Sequence, residues 1–294
     1  MSWITSFFQT ILNLIDGFVG NYAWSIIILT VLFRAVLLPL DYRQKKMMIV
    51  QARVQPKMNE LQKKYANDKE KLNQKTQQLM REEHYSPLSG CLPMLIQLPI
   101  FFAFFGALRA ISNEQIFQLF ESLQNHVPGV QVQSWLWVHN IWQADSFINT
   151  PVIPIFDKIR TFAQFSNVTA EAYNLAMVPL TMFWQNFQNG FFILPILGGV
   201  TSFIQGKFTS VAPAAKEGSD AAPNAAKSNK MMTWMFPLIS VFFCATSSAV
   251  FALYWITSNI VSILFYLYLD RFVFNKEKYQ NQKAKSVKII KEKK

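Results

Sequence analysis

The nineteen residues from Tyr22 to Leu40 form a hydrophobic run that carries one charge, Arg34. As a helix the run is about 28 Å long, enough to cross the hydrocarbon core of a bilayer. A guanidinium at that depth costs at least ~2.5 kcal/mol, so it normally faces a polar interior or marks function. Its other course is to snorkel. Leu40 lies six residues on, roughly 9 Å along the axis, and a long side chain covers most of that distance. The run alone leaves both readings open.

The remainder of the chain repeats the pattern. Pro87 to Leu108, Ala172 to Gly206 and Met231 to Leu269 are free of charge, the last long enough for two short spans around a turn at Thr246-Ser247-Ser248. These stretches predict an all-α polytopic membrane protein with five transmembrane helices, at 22–41, 88–110, 187–207, 231–246 and 249–269.

Net charge is +11, which would suit nucleic acid, but its distribution speaks first to topology. Segments 42–86, 207–230 and 271–294 hold 11, 4 and 9 basic residues; 1–21 holds none and 112–186 only Lys158 and Arg160. Basic loops stay in the cytoplasm, so the N-terminus is expected outside and the C-terminus inside. An odd number of spans gives the same answer. Residues 1–21 lack the basic start of a secretory signal and the Arg-rich bias of a transit peptide. Trp3, Ile4, Phe7, Phe8, Ile11, Leu14, Ile15 and Phe18 recur at helical spacing, predicting an amphipathic helix on the outer surface. A poorly ordered lead-in is the alternative. Cys91 and Cys244, in spans and near opposite faces, read as small core residues. His84, His126 and His139 are scattered without metal-ligand spacing, and no cofactor is expected.

Segment 42–86 is polar and lacks glycine. Val50, Val54, Met58, Leu61 and Tyr65 share a helix face, and Asn67 with Glu70 resembles a capping box opening a second helix. A cytoplasmic helical hairpin results, either a docking or gating element or a solvated connector. In the second span Pro93 and Pro99 free backbone carbonyls on either side of Gln97. The extracytoplasmic region 112–186 has an interfacial belt in Trp135, Trp137 and Trp142. Pro128, Pro151 and Pro154 argue against one long helix, leaving a membrane-hugging loop. Segment 208–230 is a cytoplasmic linker. The basic tail 271–294 suits anionic lipid, which composition favours, or polyanionic RNA on a ribosome.

Four spans carry polar side chains that could converge. Thr30 is one turn from Arg34; Gln97 lies in the second span; Thr201 and Gln205 share a face of the third; Tyr254, Ser258 and Asn259 line part of the fifth. With one cation they suggest a hydrated cavity, against the plainer reading of separate interhelical hydrogen bonds around a snorkelled arginine. Asp41 and Asp270, at span borders, read as interfacial. Enzyme signatures are missing: Gly199 to Lys207 does not fit a phosphate loop, and no paired membrane carboxylates or His-Glu metal motif occur. Without a membrane acid or internal repeats, an ion-coupled carrier is disfavoured.

Longer motifs narrow the field. Gln55-Pro-Lys-Met-Asn-Glu-Leu-Gln-Lys-Lys-Tyr65 precedes Pro87-Leu-Ser-Gly-Cys-Leu-Pro-Met-Leu-Ile-Gln-Leu-Pro-Ile-Phe101, and Leu253-Tyr-Trp-Ile-Thr-Ser-Asn259 lies in the last span. Together with Phe33-Arg34 and Leu38-Pro39-Leu40, they resemble the YidC family of membrane protein insertases over roughly 22–110 and 187–275.

The resemblance implies a five-span core with a water-filled groove, open to cytoplasm and lipid and closed outside. Arg34 matches the groove arginine, and Thr30, Gln97, Phe101 and Tyr254 match positions associated with the groove or with substrate. It implies a mobile hairpin at 42–86 and a tail that recruits ribosomes. The partners implied are nascent membrane proteins, a Sec-type translocon and lipids, in a bacterial plasma membrane and without nucleotide hydrolysis. Two departures stand out: Ser248 where the family often has proline, and a long outer region 112–186. A channel or transporter, and a chaperone lacking insertion activity, are the competing readings.

Overall fold

The computed structural model describes residues 2–83, 87–125, 132–147, 156–160, 166–174, 188–209 and 223–274. The linker at 210–222, the tail from 275 onward and the outer stretches 126–131, 148–155, 161–165 and 175–187 lie outside the described residues. So do His84, His126, and the side chains of Cys91 and Gln97. The helices are α1 (Ser2–Val19), α2 (Tyr22–Lys64), α3 (Lys69–Glu82), α4 (Pro87–Gln124), the short α5 (Phe156–Ile159), α6 (Ile193–Thr209), α7 (Pro223–Thr246) and α8 (Ala249–Tyr268). A π-helical turn, Leu269–Val273, follows α8. The described residues contain no strand; Trp135 and Val138 form an isolated bridge.

Polarity is inverted relative to a water-soluble protein. Ser25, Ser240 and Ser262 are fully buried, while Leu32, Val36, Phe102, Leu238, Phe242 and Leu264 are exposed. Water penalises so much uncovered apolar surface; lipid does not, and buried hydroxyls are satisfied within and between helices. Among the described residues Tyr22–Lys64 and Ala249–Val273 are long and apolar enough to cross a membrane, and Trp234–Thr246 is a shorter apolar helix. The chain is a helical membrane protein.

The chain forms two compact units. The first comprises Met1–Phe33, Leu98–Ser202 and Pro237–Ser258. Its α1 ends at Gly20, whose φ of 71° suits a residue without Cβ and whose N–H donates to Asp16 O at 2.7 Å. One face of α1 is core: Phe8 and Leu12 are buried, and the Phe8 ring meets Phe33 and Phe104 edge-on at 5.4 and 5.3 Å. Trp3, Phe7, Leu14 and Phe18 remain exposed. On α4, buried Ile111, Ile116 and Phe120 continue the apolar face past residue 110, and the helix runs to Gln124. Two glycines bring α6 against α7. A Cβ on Gly198 would stand 2.7 Å from Cys244 Sγ, and one on Gly199 would collide with Val241.

The loop 132–147 fastens three helix starts in this unit. Asn21 Nδ2 donates to Ser134 O at 3.0 Å, and Tyr22 N to Gln133 Oε1 at 3.3 Å. Ala249 N and Val250 N at the head of α8 donate to Gln143 O and Ile141 O at 2.8 and 3.1 Å. The head of α6 is held by Asp145, fully buried, which accepts from Phe192 N at 3.1 Å and Leu194 N at 2.7 Å, and also from Trp137 Nε1 at 3.1 Å. Buried Asn189 donates to Asn140 O and Ala144 O, both at 2.8 Å, and Phe192 has φ 64°. The helix therefore starts at Ile193, because residues 188–192 are committed to the loop.

The second unit comprises Arg34–Gln97, Phe203–Phe236 and Asn259–Lys294. Here α2 continues to Lys64 with Pro39 and Pro56 inside it. Helix α3 is capped by Asp68, whose side chain accepts from Lys71 N at 3.0 Å. The cap expected at Asn67 thus lies one residue later. Val54 and Leu79 are buried, and Glu83 pairs with Lys57 and with Arg53, the latter at 3.7 Å.

Candidate functional site

In the second unit, α2 buries a cation and an acid two turns apart. Arg34 is 7% exposed and Asp41 also 7%. The Arg34 Nη2 to Asp41 Oδ2 distance is 3.7 Å, an ion contact that is too long for a hydrogen bond. Arg34 Nε and Asp41 Oδ2 find no hydrogen-bond partner among the described residues. Arg34 therefore does not reach the surface. It runs along its own helix to Asp41, an acid that is itself buried and paired.

One further turn along α2, Lys45 is buried and well satisfied. Its Nζ donates to Asp270 Oδ2 at 3.1 Å and to Phe208 O at 3.3 Å, and sits 5.4 Å from the centre of the buried Tyr266 ring. Asp270, in the π-helical turn, keeps a side-chain exposure of 37%. Asn259 is buried in this unit, and Gln205 is half-buried. Only the backbone of Gln97 is described, in α4.

The other sequence-derived positions lie in the first unit. Thr30 is buried and its hydroxyl donates to Ile26 O at 2.6 Å. Thr201, also buried, donates to Leu197 O at 2.8 Å. Each hydroxyl thus satisfies a carbonyl of its own helix. Phe101 joins an aromatic cluster, with Trp255 at 5.9 Å and Phe251 at 6.1 Å between ring centres. The Phe104 ring lies 4.4 Å from Tyr254, which is buried. Ser258 is half-buried. Trp255 Nε1 donates to Ser202 Oγ at 2.9 Å. Thus Phe101 and Tyr254 enter one aromatic packing, whereas Thr30 and Thr201 face their own backbones.

Lys45 and Tyr266 are not singled out by composition or motif, and Asp41 stands out there only as a span-border acid, not as a partner of Arg34. The available signal was spacing: seven residues from Arg34 to Asp41 return to the same helix face.

The model of a family described as 60Kd inner membrane protein matches residues 14–278. A membrane protein insertase YidC of Fusobacterium nucleatum is 30% identical over 261 residues, covering 89% of this chain and 92% of that protein. One from Caldanaerobacter subterraneus is 32% identical over 184 residues, 62% of this chain and 80% of the relative. One from Helicobacter pylori is 29% identical over 285 residues, 96% of this chain but only 39% of the relative, so the chain spans less than half of that protein. With most of its length matched, the chain belongs to the 60Kd inner membrane protein family, that of the membrane protein insertase YidC.

Proposed function

We propose that this chain inserts small membrane proteins into the bilayer, and aids their folding, through a hydrated intramembrane groove containing Arg34. The observation that carries the reading is the burial of Arg34 with its Nε donor left over among the described residues. A buried guanidinium with an unspent N–H is costly unless water or an incoming acid satisfies it. Dragging a polar segment through hydrocarbon is costly for the same reason, since its groups lose their water. A hydrated half-channel shortens that path. Arg34 attracts an acidic outer segment of the client, and the client's apolar helix then leaves sideways into lipid. That partitioning supplies the drive, and no nucleotide is consumed.

The topology that goes with this reading has five spans, the N-terminus outside and the C-terminus in the cytoplasm. The hairpin at 42–86 is cytoplasmic, and α1 lies at the outer interface. The basic tail recruits translating ribosomes, and the chain acts alone or beside a Sec-type translocon in a bacterial plasma membrane. The supporting observations are the family and the one-sided placement of basic residues.

The test is reconstitution. Purified protein in liposomes receives a freshly made single-span client with an acidic translocated end, scored by protease protection of that end. Protection with wild type, reduced several-fold with Arg34→Ala and partly restored with Arg34→Lys, is the expected result. Equal protection with wild type and Arg34→Ala would refute the role of the charge. No protection with wild type would favour a chaperone that holds clients without inserting them.

A further inference from the structure

The second unit buries two cations among the described residues, and they differ in what they have left to give. Lys45 is spent: a carboxylate, a backbone carbonyl and an aromatic face meet it. Among the described residues Arg34 is held by one acid, Asp41, at 3.7 Å, without a hydrogen bond between the facing atoms. A guanidinium offers five donors in a planar fork and a carboxylate about four acceptor sites, so a fully made pair would be bidentate. Among the described residues both partners retain unspent capacity, at Arg34 Nε and at Asp41 Oδ2. Both side chains are buried, 8% and 10% exposed, where unspent capacity is most costly.

Such a half-made pair is suited to exchange. An incoming carboxylate that takes the guanidinium as a fork gains hydrogen bonds that Asp41 does not make. It must first overcome the attraction Asp41 already exerts. We propose that Asp41 is the resident counter-ion of Arg34 and sets client specificity: an acidic client segment displaces it, and its hold fixes how acidic that segment must be. This rests on the reading that Arg34 meets the client. Asp41 is a positioning residue here, since it acts through Arg34. Lys45, kept by Asp270, is not available to the client in its place.

The experiment uses full-length protein in liposomes and one single-span client in versions with zero, one, two or three aspartates in the translocated end. Protease protection is compared for wild type, Asp41→Asn, Asp41→Glu, Arg34→Ala and the double variant Asp41→Asn/Arg34→Ala. Asp41→Asn is expected to raise insertion of the singly acidic client by about threefold relative to the triply acidic one, the size a partly screened charge pair supports. Asp41→Glu, whose longer side chain closes the gap to the guanidinium, is expected to shift the ratio the other way. In the Arg34→Ala background the Asp41→Asn effect disappears, because the two residues act as a pair. If Asp41→Asn folds poorly, Asp41→Glu alone decides. An unchanged ratio in the Asp41 variants, with Arg34→Ala still abolishing the dependence on client charge, overturns the proposal and leaves the reading of Arg34 intact. If Arg34→Ala leaves that dependence as in wild type, the underlying reading fails instead.

Discussion

Replacing Asp145 with alanine tests whether a buried carboxylate holds the head of α6. Three donors converge on it: Leu194 N at 2.7 Å, Phe192 N at 3.1 Å and Trp137 Nε1 at 3.1 Å. Alanine leaves all three without this acceptor, the Leu194 N–H in a buried setting and the Phe192 and Trp137 donors in part-buried ones. Each orphaned donor costs ~1–3 kcal/mol, and a negative charge at a helix N-terminus adds up to ~1 kcal/mol more. Against this stands relief from burying a carboxylate, and water entering the vacated space restores part of the bonding. The balance is a loss of about 3 kcal/mol. Asp145→Asn keeps one acceptor oxygen and presents an amide to the remaining donors, for a loss of roughly 1–2 kcal/mol. Phe192 adds to the case: at φ 64° a bulky residue is strained, and the Asp145 contact to its N–H holds it there. Equilibrium unfolding in mixed detergent micelles, followed by tryptophan fluorescence, measures both variants. Hydrogen exchange at Leu194 reports the cap directly. A loss below ~1 kcal/mol for alanine, with Leu194 protection unchanged, would refute the reasoning, because a dispensable acceptor is worth no more than an ordinary surface contact.

Gly199→Val should lower stability by about 1–3 kcal/mol in the same unfolding assay, since even a Cβ there runs into Val241, a stiff β-branched partner; Gly199→Ala should cost less. In α1, burial raises the Asp16 carboxyl above its ordinary value of 3.8, opposed by a hydrogen bond from Ser25 Oγ at 3.2 Å. A raised folded-state value means the folded form binds the extra proton between 3.8 and that raised value, so this group's contribution to the attachment of α1 weakens as pH rises through that window. Hydrogen exchange of α1 amides across that range should show the slope in wild type and its loss in Asp16→Asn; an unchanged slope would place its origin elsewhere.

The elements written in local periodicity were legible, and those written in distant contacts were not. An apolar run with one arginine is a local signal, and Arg34 is where that signal points. The second step failed because an acid at the end of an apolar run looks the same whether it meets water or turns inward. Only the direction of the Arg34 side chain decides, and that makes Asp41 a partner. The cap of α3 was misplaced by one residue because Asn67 and Asp68 are both good caps, and spacing cannot choose between neighbours. Asp145 and Asn189 lay further out of reach. Asp145 meets the head of α6 from 49 residues away, and Asn189 reaches Ala144 across 45. A polar loop residue that caps a remote helix has the same side chain as one that is merely solvated. What separates the two is desolvation, a property of the place and not of the residue. A membrane protein sharpens this difference, because within its helices the hydrophobic pattern records contact with lipid as well as burial in the core. Polar contacts such as Asp145 with α6 and Arg34 with Asp41 therefore carry information about which helices meet that the apolar pattern leaves out.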